Sequence, residues 1–237
     1  MRLYFSKELK ANLLSNLSTE QSHYIKNVMR LKPGDTIALF NSKNGEWIAK
    51  IVNHNKESTE FKVEKLIKSK KLENDLWLAF SPIKKNPLDM MIQKTTELGV
   101  QKFVPILSER TIVKEINITR LQKIIVEASE QSNRISVPEI KNLEPLKFFL
   151  DKFPKEGSLI FCDINCDKSD LKNILSKKKQ GPICILVGPE GDFSEKERQL
   201  IIKKKEIFSL SLANNILRAE TAAIAAVTIV NYHLNFS

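Results

Sequence analysis

The sequence predicts a small β-rich domain over residues 1–70, followed by an α/β domain over residues 75–237. In the first part short alternating strand segments dominate, and the Asn44-Gly45 pair between two of them is a strong hairpin signal. In the second part strand and helix segments alternate, which is typical of a mostly parallel sheet with helices on both faces. The polar, charged stretch 68–75 separates the two patterns and is the predicted linker.

The N-terminal elements predict a compact barrel. Strands are expected at residues 3–5, 36–40, 47–52 and 59–67. Ser18 and Gln21 have the spacing of a capping box, so a helix is expected to begin after Ser18 and to run to Met29. The K-P-G-D turn at residues 32–35 ends this helical segment.

The C-terminal elements predict the parallel sheet and its helices. Asn86 is the predicted cap of the first helix and Gly99 its predicted end, while Ser194 and Glu197 again have capping-box spacing. Strands are expected at residues 76–81, 100–107, 159–163, 183–187 and 207–212. Helices are expected at residues 87–98, 119–133, 145–153, 171–178 and 219–230, with one more beginning at Ser194.

Composition indicates a globular protein with a basic surface. The 237 residues include 38 Lys and Arg against 28 Asp and Glu, a net charge of +10. A polyanionic partner such as nucleic acid fits this balance, although dispersed lysines are also ordinary solvated surface. No apolar run approaches the roughly 18 residues of a membrane span, and no apolar signal core follows the first Met. The sequence therefore predicts a cytoplasmic protein without a membrane partner.

Three cysteines, Cys162, Cys166 and Cys184, are predicted to be reduced, buried thiols, two of them within apolar strand segments. They lack the two-residue spacing of a zinc-binding pair, and the histidines are isolated from them in sequence. The sequence therefore predicts no metal site.

The clearest functional signal is a glycine-bracketed loop between a strand and a helix. Gly188-Pro189-Glu190-Gly191 follows the apolar run 183–187, and glycine suits a backbone that lies close to a ligand. A Rossmann fingerprint needs three glycines within six residues, and the chain has only seven glycines, of which only these two are close together. A Walker phosphate loop is absent for the same reason. A nicotinamide-dependent oxidoreductase is therefore disfavoured, and an adenine-containing ligand would need a different pocket.

Several charged residues are functional candidates, and each has a simpler interpretation as solvated surface. Arg218 precedes an apolar, alanine-rich helix. Arg110 follows a strand at its carboxyl end, the edge where open α/β sheets bind ligands. Arg134 ends a helix whose buried face turns polar. His23 and Arg30 share a basic helix face that could bind phosphates.

Six segments together resemble the RsmE-type ribosomal RNA methyltransferases, the small-subunit uridine N3 family of the knotted SPOUT superfamily. They are H-Y-I-K-N-V-M-R-L-K-P-G-D at 23–35, I-Q-K-T-T-E-L-G-V at 92–100, S-E-R at 108–110, E-A-S-E-Q-S-N-R at 127–134, G-P-E-G-D-F-S at 188–194 and I-L-R-A-E-T-A at 216–222. The resemblance covers essentially the whole chain, and ordered motifs at matching spacing make it specific.

The resemblance implies an N-terminal PUA-like β-barrel that binds RNA and a C-terminal SPOUT α/β domain with a deep trefoil knot. Knots are rare exceptions among folds, so composition and periodicity could not have suggested one. It also implies a homodimer that binds S-adenosyl-L-methionine in the knot and methylates N3 of one uridine, uridine 1498 in the usual 16S rRNA numbering. The expected partners are 16S rRNA or the small ribosomal subunit and a second copy of the chain.

These implications assign roles to particular residues. Because the sulfonium methyl is already activated, the protein must mainly align it with N3 and favour the deprotonated uracil. Arg218 is the predicted cation for that anion, and Glu190 is predicted to orient the base or the loop. The predicted cofactor-binding residues are Leu186, Gly188, Pro189, Gly191, Leu212, Ile216 and Leu217. The predicted RNA-binding residues are Arg2, His23, Arg30, Lys32, Arg110 and Arg134.

Two positions depart from the family's pattern. Asp192 and Ala213 stand where the family usually has glycine, and both replacements could narrow the cofactor pocket. Because Ala is small and Asp tolerates turn conformations, we expect altered geometry more than lost binding. A catalytically silent RNA-binding or ribosome-assembly protein of the same fold is the alternative function.

Overall fold

The computed structural model describes residues 1–70, 73–166, 171–176, 180–204 and 207–236. These residues form two compact units. The first comprises residues 1–70 together with Ser129–Val137, and the second comprises the remaining described residues. Residues 71–72 of the predicted linker and residues 177–178 of a predicted helix lie outside the described part of the chain.

The first unit contains a five-stranded sheet in the order β1-β3-β4-β5-β2. Its strands are β1 (Arg2–Tyr4), β2 (Leu14–Asn16), β3 (Thr36–Asn41), β4 (Gly45–His54) and β5 (Thr59–Lys68). β1 pairs with β3 in parallel, and the other pairs are antiparallel. Period-two burial is clear at the start of β5, where Thr59, Phe61 and Val63 are buried and Lys62 is exposed. The predicted hairpin at Asn44-Gly45 joins β3 to β4, as expected.

The helical segment of the first unit confirms the capping prediction. Ser18 and Gln21 form the reciprocal capping box that opens α1 (Thr19–His23). The segment continues as a π-helical turn over Tyr24–Val28, in which the Met29 amide donates to the Tyr24 carbonyl at 3.0 Å. Arg30 follows with φ of +56°, a left-handed conformation that is uncommon outside glycine. π-turns of this kind are frequent at functional sites.

The second unit is built on a parallel sheet in the order β12-β10-β11-β6-β7-β8, with β9 also paired to β7. Its strands are β6 (Leu76–Phe80), β7 (Lys102–Leu107), β8 (Glu139–Ile140), β9 (Glu144–Pro145), β10 (Ser158–Cys162), β11 (Ile183–Val187) and β12 (Ile207–Leu210). Every pair in this sheet is parallel, so the prediction of a mostly parallel sheet is confirmed. β11 is buried along its whole length, which explains its uninterrupted apolar sequence.

Six helices of the second unit lie among the described residues. They are α2 (Lys85–Glu97), α3 (Ile118–Gln131, whose end groups with the first unit), α4 (Leu146–Lys152), α5 (Leu171–Ser176), α6 (Glu195–Ile202) and α7 (Ala219–Phe236). α7 packs against α2 and β11. Small residues allow this close approach, since Ala223 and Ala226 of α7 are fully buried with Val227.

One predicted helix cap is wrong. Lys84, with extended backbone torsions, occupies the N-cap position of α2, and its side chain makes no capping hydrogen bond within the described part of the chain. Asn86 lies inside the first turn instead. Pro87 also falls within that turn, where a residue without an N–H is tolerated because the first four amides have no intrahelical partner. The predicted end before Gly99 is confirmed, since Gly99 follows α2 with φ of +105°.

Among the helices that the structure describes, none has the length and apolar character needed to cross a membrane.

Candidate active site

A pocket of about 550 Å³ lies in the second unit at the carboxyl ends of β10, β11 and β12. We call it the strand-end pocket. Its lining residues come from the segments that follow these three strands, from the start of α7 and from Lys84 and Pro87 at the start of α2. Adjacent parallel strands end at the same edge of a sheet, which is where open α/β sheets bind ligands. The volume is within the range of small-molecule and cofactor sites.

The glycine-bracketed loop forms one wall of the strand-end pocket. Gly188 lies against Phe193, so close that a Cβ atom at position 188 would be only 3.0 Å from that ring. Phe193 is itself buried, with its ring edge-to-face against Phe161 at 5.6 Å. A larger residue at 188 would therefore displace Phe193 or the loop.

Asp192 supplies the turn conformation at a position where the family usually has glycine. Its φ is +58°, a region that Asp adopts more readily than most residues. Its Oδ1 accepts a hydrogen bond from the Phe193 amide at 2.8 Å, and its own amide donates to the Pro189 carbonyl at 2.9 Å. The side chain also lines the strand-end pocket. Asp192 thus closes the loop while placing a carboxylate where glycine would leave open space.

The helix after the loop is held by the predicted capping box. Ser194 and Glu197 cap α6 reciprocally, which confirms that prediction. Glu197 is also buried, and its Oε1 accepts a hydrogen bond from the Glu109 amide at 2.8 Å. Beside it, Arg110 Nη1 donates to the Gly191 carbonyl at 3.0 Å. The segment after β7 is therefore fixed to the loop and its helix by two hydrogen bonds.

Asp163 is a pocket residue that the sequence reasoning missed. It follows β10, lines the strand-end pocket and has a side chain that is only 1% exposed. Arg198 of α6 holds the carboxylate through two nitrogens, Nη2 at 2.8 Å and Nε at 3.1 Å, and this hydrogen bonding raises the pKa of Arg198. An acidic residue directly after an apolar strand was the signal that could have found it.

Cys162 also lines the strand-end pocket. Burial raises the pKa of its thiol to about 12, so the group stays neutral near pH 7 and is a poor nucleophile. All three cysteines are free thiols, as predicted, but only Cys184 is buried, since Cys162 and Cys166 are partly exposed. In the described ranges, no group of three or more His, Cys, Asp or Glu side chains is placed to hold a metal ion.

Both predicted catalytic residues line the strand-end pocket. Arg218 immediately precedes α7, and its carbonyl accepts the first helical hydrogen bond, from the Ala222 amide at 2.8 Å. Its side chain is exposed and makes no ion pair or hydrogen bond with the described part of the chain. Glu190 is exposed on the glycine-bracketed loop. A positive charge beside a helix N-terminus is electrostatically unfavourable, so Arg218 is placed to receive an anion.

The structure brings most predicted cofactor-binding residues together. Five of the seven line the strand-end pocket: Gly188, Pro189, Leu212, Ile216 and Leu217. Leu186 does not, because it lies within β11, fully buried in the core beneath the sheet edge. Gly191 does not line it either, since it faces Arg110, and a Cβ atom at Gly191 would lie 3.7 Å from Arg110 Cβ. Leu186 therefore belongs to the core, and Gly191 belongs to the glycine-bracketed loop on the side that faces Arg110.

The predicted RNA-binding residues of the first unit fall into two groups. His23, Arg30 and Lys32 are exposed in and after the helical segment. Arg2 instead has a side chain only 10% exposed, with its Nε 3.1 Å from Glu46 Oε1 and its guanidinium 3.5 Å from the centre of the Phe40 ring.

The remaining donors of Arg2 are committed to backbone carbonyls. Its Nη1 donates to Ser129 O at 2.8 Å, and its Nη2 donates to the carbonyl of Arg134. Arg134 is buried as well, and its Nη2 donates to Ser136 Oγ at 2.8 Å. The phosphate-binding prediction therefore does not fit the environment of either arginine, because neither offers an accessible cation. Arg2 instead joins Ser129–Val137 to the rest of the first unit.

Together the fold and site define an α/β protein with a ligand pocket at the edge of a parallel sheet, joined in sequence to a smaller β unit. Two models of known protein families match this chain. A family model described as an RNA methyltransferase domain matches residues 70–231, and one described as an RNA methyltransferase PUA domain matches residues 17–64.

Individual relatives agree with these matches. The ribosomal RNA small subunit methyltransferase E of Rickettsia conorii is 33% identical over 228 residues, which is 95% of this chain and 93% of the relative. That of Aquifex aeolicus is 29% identical, covering 97% and 99%. The crystal structure of the enzyme from Neisseria gonorrhoeae bound to S-adenosyl methionine has a TM-score of 0.88 and 30% identity, covering 100% and 99%. The chain belongs to this RNA methyltransferase family, which confirms the resemblance seen in the sequence.

Proposed function

We propose that the protein transfers a methyl group from S-adenosyl-L-methionine to small-subunit ribosomal RNA. The observation that carries this proposal is the strand-end pocket, which gathers Arg218, Glu190 and five predicted cofactor-binding residues around a volume of about 550 Å³. The bound S-adenosyl methionine of the Neisseria gonorrhoeae relative supports the same cofactor here.

The residues of the strand-end pocket fit this cofactor chemically. Leu212, Ile216 and Leu217 offer apolar side chains and backbone groups to an adenosine, and Gly188 and Pro189 add the backbone of the glycine-bracketed loop. Asp163 and Asp192 provide acceptors for hydroxyl or ammonium groups. When bound, S-adenosyl-L-methionine supplies an activated methyl group on a positively charged sulfur.

The acceptor is proposed to be uracil N3, with uridine 1498 of 16S rRNA as the target. The N3–H bond breaks as its proton passes to water, while the Glu190 carboxylate orients the base. The new N3–CH₃ bond forms as the S–CH₃ bond breaks, and the electron pair of that bond stays on sulfur, which becomes a neutral thioether. Arg218 stabilises the negative charge that spreads to O2 and O4. A paired uracil hides N3, so the base must be unpaired or flipped out.

RNA binding is proposed to involve the N-terminal domain, residues 1–70, as a PUA-like module that precedes the methyltransferase domain at 75–237. The exposed cations Arg30 and Lys32, together with the exposed side chain of His23, support this assignment. Arg110 is proposed to meet RNA from the methyltransferase domain, where it is exposed while it donates to Gly191. Such contacts position RNA without reading its sequence.

The double substitution Arg30→Ala with Lys32→Ala should weaken RNA binding and flatten its salt dependence. Two lost phosphate contacts should reduce the slope of log K against log salt by about 1.4, at roughly 0.7 per contact on single-stranded RNA. Point substitutions in the full chain are preferable to removing residues 1–70, because Ser129–Val137 packs within the same unit. Filter binding at several salt concentrations measures the slope.

The control for this experiment removes the same amount of charge elsewhere in the first unit. Lys62→Ala with Lys65→Ala changes two exposed lysines of β5 and should leave the slope near the wild-type value. An unchanged slope in the Arg30 and Lys32 double variant, or an equal loss in both double variants, would contradict the assignment.

Further properties follow from the family resemblance. We propose a closed PUA-like barrel, a SPOUT fold with a deep trefoil knot, a homodimer, a cytoplasmic location and catalysis without a metal ion. The match of the RNA methyltransferase domain model over residues 70–231 supports the fold in this proposal.

Calorimetry tests the cofactor proposal directly. The purified full chain, treated with a metal chelator, should bind S-adenosyl-L-methionine with one site per chain, because a single chain supplies the lining of the strand-end pocket. A thermal-shift comparison with nicotinamide dinucleotides should show no stabilisation by the latter. Failure to bind at millimolar S-adenosyl-L-methionine would favour the catalytically silent RNA-binding alternative.

A further inference from the structure

A second, smaller cavity of about 20 Å³ adjoins the strand-end pocket. We call it the side cavity. It is lined by Pro82, Ile83, Lys84, Arg110, Ile112, Val113, Pro189 and Glu190. Lys84, Pro189 and Glu190 also line the strand-end pocket, so these three residues form the wall that the two cavities share.

Methyl transfer constrains where the acceptor base can lie. The attacking atom must approach the methyl carbon to about 3–3.5 Å in line with the breaking bond, so the base has to adjoin the cofactor. The side cavity has room for little more than one water-sized group, which suits a carbonyl oxygen at the edge of a base. The ring itself would lie outside the cavity, and the lining residue Ile112, which is 76% exposed, offers it an apolar surface.

Lys84 is an uncommitted cation on the shared wall. It occupies the N-cap of α2, and its exposed side chain makes no ion pair or hydrogen bond with the residues that the structure describes. A positive charge at a helix N-terminus is unfavourable unless an anion is nearby. Arg218 is in the same situation at the start of α7, on the strand-end pocket. Two such cations around one site indicate that negative charge appears there.

We propose that the side cavity is the subsite for the edge of the acceptor uracil and that Lys84 contacts its carbonyl oxygen during methyl transfer. This inference rests on the proposed function and adds a residue and a location to it. Lys84 and Arg218 would then share the charge of the uracil anion between O2 and O4, with Glu190 beside the N3 proton. A single cation could stabilise only one of the two carbonyl oxygens at hydrogen-bond distance.

If Lys84 contacts the base, replacing it should change the pH dependence of the methylation rate. A cation next to the base favours the deprotonated form of N3, so the rate should rise with pH and reach its plateau at a lower pH when Lys84 is present. Other charged residues around the two cavities also affect the pKa of the base. They are the same in the wild type and in the Lys84 variants, so they do not contribute to the difference between these proteins. These charged residues are Arg110, Asp163 with its partner Arg198, Glu190, Asp192 and Arg218.

The test compares the full-length wild type with Lys84→Met, Lys84→Arg and the matched control Lys85→Met. Lys85 is exposed and next in sequence but lines neither cavity. Single-turnover methylation of small-subunit ribosomal RNA is measured from pH 6 to pH 10, with S-adenosyl-L-methionine affinity and thermal unfolding measured for each variant.

Lys84→Met should lower the rate at pH 7 by roughly 10–100-fold, with the pH profile displaced upward by about one unit or more. Lys84→Arg should restore much of the rate, and Lys85→Met should match the wild type.

Two results would overturn the inference. One is an unchanged rate and pH profile in Lys84→Met. The other is a loss of cofactor affinity in that variant with a normal rate at saturating cofactor, which would place Lys84 on the cofactor instead of the base. A wild-type protein that binds cofactor but methylates no RNA would refute the proposed function itself, and the inference with it.

Discussion

Replacing Arg218 by alanine is expected to slow single-turnover methyl transfer by about 10²–10³-fold, equivalent to roughly 2.7–4 kcal/mol of barrier, the range for losing one oxyanion donor. Arg218 lines the strand-end pocket, and its exposed side chain forms no ion pair or hydrogen bond with the described part of the chain. Removing it should therefore leave folding nearly unchanged. Its charge is therefore available for the anion of the proposed uracil acceptor.

Further variants separate catalysis from structure. Arg218→Lys should recover little of the rate, because a point ammonium cannot reproduce the planar fork of guanidinium donors. Lys196→Ala, which removes an exposed cation on α6 outside the pocket lining, is the matched control and should react as the wild type does. A wild-type rate for Arg218→Ala would show that the catalytic assignment is wrong. Unfolding of that variant would assign a structural role instead.

Replacing Arg2 by alanine should destabilise the first unit by about 3 kcal/mol, the lower end of the range for removing one partner of a buried ion pair. Glu46 would remain with a side chain only 5% exposed, and the carbonyl of Ser129 would lose its donor. We expect the lower end of this range because Lys68 Nζ lies 3.5 Å from Glu46 Oε2 and would still balance part of the charge of the Glu46 carboxylate. Chemical denaturation followed by tryptophan fluorescence measures the change, since Trp47 lies in the same unit.

Arg30→Ala is the contrasting variant. Arg30 is exposed and holds a left-handed backbone conformation, so alanine there should change stability by much less than at position 2 while lowering RNA affinity. Arg2→Ala should unfold at lower denaturant even without RNA. If Arg2→Ala kept wild-type stability and lost only RNA binding, a phosphate-binding role for Arg2 would stand and the structural role would not.

The elements of the sheet could be predicted because their signals are local. β11 matches its predicted range because Ile183–Val187 is a continuous apolar run bounded by turn residues. The cap at Ser194 was predictable from two residues at fixed spacing. The cap of α2 was not, because the side chain of its N-cap residue, Lys84, makes no capping hydrogen bond with the described residues and the polar Asn86 gave a misleading signal.

The site was harder to predict where a role depends on tertiary partners. The Asp163 carboxylate is held by Arg198, which is 35 residues away, and no local sequence pattern predicts that these two residues form a pair. Arg2 looked like a free cation because Glu46 and the carbonyl of Ser129 are distant in sequence. Pocket residues next to the glycine-bracketed loop were easier, since the strand, turn and helix that position them are consecutive.

The most direct test of the central claim is nucleoside mass spectrometry of small-subunit ribosomal RNA. RNA lacking the modification is incubated with purified protein and S-adenosyl-L-methionine carrying an isotopically labelled methyl group, with Arg218→Ala as the parallel reaction. We expect labelled 3-methyluridine at a single position with the wild type and a rate lower by about 10²–10³-fold with the variant. Labelled methyl on a different nucleoside, or none with a wild type that binds cofactor, would contradict the claim.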